Sequence, residues 1–92
     1  MSMIHARYRA SPDVLETRVG DEIVLVDLKT DRIYSLNGTA ARIWEFVSSD
    51  RDRAEVERCM MAEFDVAATE LAEAIDDIVG TMTRNGLLVP SA

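Results

Sequence analysis

The sequence has few of the residue types on which most catalytic and metal sites depend. Its 92 residues include one histidine, one cysteine, four glycines and two prolines. A His–carboxylate base, a Ser–His pair and the common zinc sites all need more histidine or cysteine than this. With Cys59 as its single cysteine, the chain cannot form an internal disulfide, which suits a reducing compartment. The composition therefore predicts a protein that is not an enzyme and holds neither a metal nor another cofactor.

Three further features that the sequence lacks limit the classes of molecule that the protein could bind. Gly20 and Gly38 stand alone in turns, without the repeated glycine spacing of a phosphate-binding loop. No apolar run approaches the roughly 18 residues of a membrane-spanning helix, and the N-terminus has no hydrophobic signal core. Basic residues number 10 and acidic residues 17, and the net charge of −7 repels a phosphate backbone. We therefore expect a cytoplasmic protein whose partner is neither a nucleic acid nor a membrane.

The central feature of the sequence is the segment 19–44, which predicts a β-hairpin that runs directly into a helix. Residues 22–28 are almost all apolar and rich in β-branched side chains, as is typical of a central strand covered on both faces. Residues 29–31 favour a turn, and residues 32–36 alternate as in a second strand. The apolar residues that follow repeat with helical spacing and place Trp44 on the buried face of an amphipathic helix.

The flanking segments complete one domain. Residues 1–12 show no periodicity and predict a flexible N-terminal tail, so the domain is predicted to span residues 13–92. Residues 14–19 alternate like an edge strand, and a tight turn leads from them into the central strand. The three predicted strands therefore form an antiparallel meander.

Two more helices are predicted after the meander. Asp52 and Glu55 resemble a capping box, which indicates a helix that begins near Arg53. A last helix follows residues 65–66 and ends at the helix-stopping pair 85–86. Its core stripe is predicted to consist of Leu71, Ile75, Ile78 and Met82. The predicted fold is α+β and winged-helix-like, with a three-stranded antiparallel meander followed by three helices.

Several pieces of the sequence, in this order, resemble the PqqD family. They are Gly20-Asp21-Glu22, a Val-Leu-Val-Asp strand, Arg32-Ile33-Tyr34-Ser35-Leu36-Asn37, Ala40-Ala41-Arg42-Ile43-Trp44 and Gly86-Leu87-Leu88. The likeness runs over residues 14–88, although family members often open the last helix with an acidic residue or a proline where this chain has alanines. It implies a precursor-peptide recognition element, which is a peptide chaperone in the making of ribosomally synthesised, post-translationally modified peptides.

The last strand of the predicted meander is the candidate binding edge. An edge strand leaves alternate N–H and C=O groups unpaired, and this strand has neither a proline nor a lysine to block pairing. The resemblance implies that a leader peptide lies between this strand and the last helix. The predicted contacts are Arg32, Ile33, Tyr34, Ser35 and Leu36 on the strand and Ala72, Asp76, Val79 and Thr83 on the helix. Asp76 is predicted to hold a basic or hydroxyl side chain of the peptide.

The resemblance also implies a second partner, the enzyme that modifies the precursor peptide. The segment 34–37 favours a lasso-peptide system, with its protease or cyclase, over the radical-SAM enzyme of the quinone-cofactor pathway. Two alternatives from other classes stay open. A winged-helix DNA-binding regulator fits the same elements, although Arg84 is the only basic residue in or near the last helix, against five acidic residues over positions 65–77. A homodimer would pair the edge strand with its own copy.

Overall fold

The structure is a computed structural model that describes residues 7–91. The strands are β1 (Tyr8–Ala10), β2 (Val14–Val19), β3 (Glu22–Asp27), β4 (Arg32–Leu36) and β5 (Leu88–Pro90), and the helices are α1 (Gly38–Val47), α2 (Arg53–Glu63) and α3 (Ala68–Arg84). The strands β2, β3 and β4 form an antiparallel sheet with β3 in the middle, which we call the main sheet. The predicted α+β fold, a winged-helix-like meander followed by three helices, is confirmed.

A second, two-stranded sheet joins the two ends of the described chain. The strand β1 pairs antiparallel with β5, and the backbone N–H of Ser91 donates to the carbonyl of Arg7 at 2.9 Å. The prediction of a tail without regular structure is therefore wrong for Tyr8–Ala10. A three-residue strand is too short to show a period, and its partner lies at the far end of the sequence. Residues 1–6 of the predicted tail lie outside the described residues.

The core lies between the inner face of the main sheet and the three helices. Trp44 has no exposed surface, which confirms it as a core anchor on the buried face of α1. The strand β3 turns Ile23 and Leu25 into the same core. The predicted stripe of α3 is buried except for Ile78, which is half-buried at its margin. Burial of these side chains supplies most of the driving force for folding.

The outer face of the main sheet is open, so the expectation that the central strand is covered on both faces is wrong. Val24 and Val26 are half-buried on this face. Leu15 and Ile33 flank Val26 in register and are 55% and 69% exposed. The helices pack against the inner face only. The apolar run of residues 22–28 does not distinguish a strand covered on both faces from one covered on a single face, because β-branched residues are also favoured on a half-exposed sheet surface.

The signals at the helix ends are confirmed. The Asp52 carboxylate accepts the backbone N–H of Glu55 at 2.9 Å, and the Glu55 carboxylate accepts the backbone N–H of Asp52 at 3.1 Å. This reciprocal pair is the capping box that begins α2. At the end of α3, Gly86 has a φ of +76°, and the N–H of Leu87 donates to the carbonyl of Met82 at 2.8 Å. The left-handed conformation of Gly86 and this hydrogen bond end the helix and direct the chain into β5.

An ion pair between α1 and α2 predicts how one carboxyl group titrates. The Arg42 guanidinium donates to the Glu63 carboxylate at 2.8 and 2.9 Å. These hydrogen bonds lower the pKa of Glu63 from its ordinary value, against a smaller opposing effect of desolvation. Because the folded-state pKa is lowered, the pair stabilises the fold above the unfolded-state pKa, and this contribution is lost as the pH falls through the folded-state pKa.

We therefore expect the Glu63 carboxyl carbon to titrate below the usual glutamate range in a carbon-13 NMR titration. The variant Arg42→Leu should move the midpoint back up, because it removes both donors. The effect on stability should be small, since the pair is open to solvent. An unchanged Glu63 midpoint in the variant would show that Arg42 does not cause the shift.

Candidate functional site

The direction of the hydrogen bonds along β3 follows from the turn before it. Residues 20–21 form a two-residue turn, so Val19 and Glu22 are the hydrogen-bonded pair that closes the hairpin. Because the direction alternates along a strand, even-numbered residues of β3 bond to β2 and odd-numbered residues bond to β4. Just past the other end of the hairpin, the N–H of Leu28 donates to the carbonyl of Asp13 at 2.9 Å, as this alternation requires.

The free edge of β4 therefore carries the backbone groups of Ile33 and Ser35. The odd-numbered residues of β3 are in register with Arg32, Tyr34 and Leu36, so these three residues pair with β3. The N–H and C=O groups of Ile33 and Ser35 point outwards and have no strand partner among residues 7–91. Such a row of groups is a template for one more strand.

The two edges of the main sheet differ in their protection against a further strand. On the inner face of β2, the Glu16 carboxylate accepts a hydrogen bond from the Trp44 indole at 2.8 Å, and Arg18 forms an ion pair with Glu45. Inward-pointing charged side chains of this kind guard an edge against pairing. The strand β4 has no charged residue beyond Arg32 and no proline. The open edge is therefore the one at which the sequence predicts peptide binding.

The four predicted helix residues lie together on the flank of α3 that faces α2. Arg53 of α2 donates to the Asp76 carboxylate and to the carbonyl of Ala72, the latter at 3.0 Å. Asp76, Val79 and Thr83 also line a cavity, whose other walls come from β1, α1, α2 and the α1–α2 loop. No residue of β4 lines this cavity. The contact of these four residues with a peptide on β4 stays a prediction.

In this structure the basic partner of Asp76 is Arg53 of the same chain. Burial lowers the pKa of Arg53, but hydrogen bonds to Asp76 and Glu57 outweigh it, so the pKa of the guanidinium is raised overall. The guanidinium therefore stays charged and holds Asp76. A basic side chain of a bound peptide would have to compete with Arg53 for the same carboxylate.

Sequence reasoning did not single out the opposite flank of α3. At about 100° per residue, Ala74, Ile78 and Thr81 lie on the other side of the buried stripe from Val79. Ala74 and Ile78 are half-buried and pack against the core, as Tyr34 of β4 does. The helical period shows that these residues share a flank, but only the packing of α2 against the other flank shows that this one faces away from α2.

The described residues bear on two other kinds of site. Over positions 7–91, no group of three or more His, Cys, Asp or Glu side chains could hold a metal ion. Within the same span, none of the helices has the length and apolar character needed to cross a membrane. What the β4 edge offers is a set of backbone donors and acceptors beside half-buried apolar side chains.

Comparisons with known proteins find a family and similar solved structures. The family described as coenzyme PQQ synthesis protein D (PqqD) matches residues 22–88. The solved structure of lasso peptide synthetase B1 complexed with the leader peptide is similar to this chain, with a TM-score of 0.81 and 26% identity over 92% of this chain and 100% of that one. The structure of TbiB1 in complex with the TbiA(beta) leader peptide has a TM-score of 0.81 and 24% identity, over 91% of this chain and 98% of that one. Among curated proteins, the comparison finds no match.

The family match covers the part of the fold that contains the open edge. It begins at the first residue of β3, includes β4 and all three helices, and ends at the first residue of β5. Residues 1–21, which include β1 and β2, and residues 89–92 lie outside it. Because this match spans more than half of the sequence, the chain belongs to the PqqD family, as the resemblance implied.

Proposed function

We propose that the protein binds the leader segment of a ribosomally synthesised precursor peptide and presents it to a modifying enzyme. The open edge at Ile33 and Ser35 carries this proposal, in a chain of the PqqD family. The similar lasso peptide synthetase B1 is complexed with the leader peptide, which supports the same class of ligand here. In this account the protein recognises and delivers the peptide, and the chemistry belongs to the partner enzyme.

The energetics of strand addition assign separate roles to the backbone and the side chains. Each backbone hydrogen bond contributes about 1 kcal/mol net, while ordering the peptide costs about 1–2 kcal/mol per residue. These contributions nearly cancel. Two or three apolar side chains that enter pockets would each contribute about 1.5–3 kcal/mol. Three fully buried side chains would supply up to about 9 kcal/mol, so we expect a dissociation constant near or below micromolar, which corresponds to about −8 kcal/mol.

The proposed site has a strand side and a helix side. The strand side is Arg32–Leu36, with Ile33 and Ser35 as the hydrogen-bonding residues. A strand added to β4 turns alternate side chains towards the inner face, on which Tyr34 lies half-buried. On the helix side, Ala72, Asp76, Val79 and Thr83 are the predicted contacts. Ala74 and Ile78 are additional candidates, because α2 occupies the opposite flank of α3.

A lasso-peptide system is the proposed setting. Both similar solved structures are complexes with a leader peptide, and one of them is a lasso peptide synthetase B1. The modifying partner would then be the protease or cyclase of such a system. The radical-SAM enzyme of a quinone-cofactor pathway is the second candidate within the same family.

The proposal is tested by titration with labelled leader peptides. A panel of synthetic lasso-precursor leaders, including the TbiA(beta) leader, should contain a peptide that binds with a dissociation constant near or below micromolar by fluorescence anisotropy. Duplex DNA at physiological salt should not bind, because the net charge is −7 and the acidic residues of α3 repel phosphates. Retardation of DNA that weakens with salt, without binding of any leader, would favour a winged-helix regulator instead.

Self-association through β4 is the alternative use of the same edge. A homodimer that pairs two β4 strands would occupy the groups of Ile33 and Ser35 and exclude the leader. Size-exclusion chromatography over a hundredfold range of concentration should show a monomer, with and without peptide. If the protein is instead a dimer that dissociates when the peptide binds, the β4 edge pairs with a second copy in the free protein and with the peptide in the complex.

A further inference from the structure

A row of aliphatic side chains crosses the outer face of the main sheet and ends at the open edge. Leu15, Val26 and Ile33 are in register on β2, β3 and β4, so their side chains are direct neighbours on this face. Ile33, at the β4 end, is the most exposed large hydrophobic residue among positions 7–91. The row therefore stops at an apolar side chain that is open on the side where a further strand would pair.

A strand added to β4 would continue this row. Residues directly opposite each other on neighbouring strands turn their side chains to the same face, and this holds for parallel and antiparallel pairs alike. The leader residue opposite Ile33 therefore lies on the outer face, beside the Ile33 side chain. The next leader residue turns to the inner face, on which Tyr34 lies half-buried. The leader thus meets side chains on both faces of the sheet.

The second outward residue of β4 is Ser35, and it differs from Ile33 in the surface that it offers. Its row across the sheet is Thr17, Val24 and Ser35, which ends in a hydroxyl group at the open edge. Aliphatic and aromatic pairs stabilise neighbouring strands by burying apolar surface, and a serine has little such surface to bury. Only the position of Ile33 therefore favours an apolar residue of the leader on the outer face.

We propose that Ile33 forms an outer-face subsite that selects leader peptides with an aliphatic or aromatic residue opposite it. This inference rests on the proposed strand addition at β4. The backbone groups of Ile33 hold the leader in place, and its side chain packs against the leader residue that extends the row of Leu15 and Val26. The leader residue opposite Ser35, two positions along, is free to vary among small and polar residues. The outer face thus adds a preference that the inner face does not supply.

The probe is the tightest-binding leader of the panel, with each position replaced in turn by glutamate. Each leader is titrated by fluorescence anisotropy against the parent protein and against Ile33→Lys, which should fold normally because the side chain is exposed. The ratio of the two dissociation constants should peak by about threefold at a single leader position, because opposite charges directly across two strands attract. The unsubstituted leader should have an aliphatic or aromatic residue at that position.

Two further lysine variants have the same net charge and serve as matched controls. Ser35→Lys should move the peak by two positions along the leader, because side chains on one face of a strand are two residues apart. Leu15→Lys lies in the same row as Ile33 but at the opposite edge of the sheet, so it should give no peak. In addition, Ile33→Ala should weaken binding of the unsubstituted leader about threefold, with an unchanged melting temperature.

Each of four results would overturn the inference: Ile33→Ala binds the leader as tightly as the parent protein does, the ratio shows no peak, Leu15→Lys gives the same peak as Ile33→Lys, or the leader has a polar residue at the peak. If the Ile33 and Ser35 amides are nevertheless protected from hydrogen exchange on binding, strand addition stands and only the outer-face subsite is wrong. If no leader of the panel binds the parent protein, the proposed function fails as well.

Discussion

Replacing Trp44 by alanine should lower the free energy of unfolding by about 3–5 kcal/mol, because it empties the centre of the core. The side chain has no exposed surface, and its indole N–H donates to the Glu16 carboxylate at 2.8 Å. The substitution therefore removes packing from β3 and the helices and also removes the hydrogen bond between α1 and β2. Since domains are stabilised by only about 5–15 kcal/mol, this loss of stability is a large fraction of the total, and the variant should melt at a clearly lower temperature than the parent protein. Urea denaturation followed by circular dichroism measures the change.

Two control substitutions show whether the loss comes from the core. Ile33→Ala removes a side chain that is 69% exposed and should change stability by no more than about 0.5 kcal/mol. Glu16→Leu leaves the Trp44 N–H without its acceptor and should cost about 1–3 kcal/mol. A loss below about 1 kcal/mol in Trp44→Ala would mean that the helices do not pack around this residue as described.

Proline at Ser35 should weaken binding of the leader peptide without lowering the stability of the domain. The Ser35 N–H points away from β3, so proline there breaks no bond of the main sheet and should leave the melting temperature nearly unchanged. It removes an outward donor and obstructs the incoming chain, so leader binding should weaken by about 1–3 kcal/mol. Ile33→Pro should behave in the same way. Tyr34→Pro removes a bond to β3 and should lower the melting temperature instead.

The matched control is Ser35→Ala, which keeps the backbone N–H and loses only the exposed hydroxyl. It should bind the leader about as well as the parent protein. If Ser35→Pro and Ile33→Pro also bound as well as the parent, while changes at Asp76 or Val79 abolished binding, the peptide would lie against α3 and strand addition would be wrong.

Local patterns in the sequence were sufficient to predict most of the secondary structure. The bounds of β2 and β4 agree with the prediction because a turn lies on either side of each strand. The beginning of α2 follows from the capping box of Asp52 and Glu55, and the end of α3 from Gly86. The strands β1 and β5 could not be predicted in this way. Each has three residues, and each forms only because the other lies beside it in the fold.

The site could be predicted only in part, because a pattern shows which residues share a face and not what that face meets. The sequence identified β4 as an edge strand that has no proline or lysine to block pairing with another strand. Which of its residues turn outwards depends on the register with β3, and therefore on the turn at residues 20–21. In the same way, the sequence correctly placed Asp76 with Ala72, Val79 and Thr83 on one flank of α3. It could not show that Arg53 of α2 contacts Asp76, because that contact depends on how the two helices pack.

Amide hydrogen exchange with and without a bound leader tests strand addition at β4 most directly. On binding, the amides of Ile33 and Ser35 should exchange at least about tenfold more slowly, because each gains a hydrogen bond. The amide of Tyr34 is already bonded to β3, and those of Glu16 and Arg18 lie on the guarded edge of β2, so these three should change little. Protection at Glu16 and Arg18, or a bound leader that leaves Ile33 and Ser35 unprotected, would contradict the account.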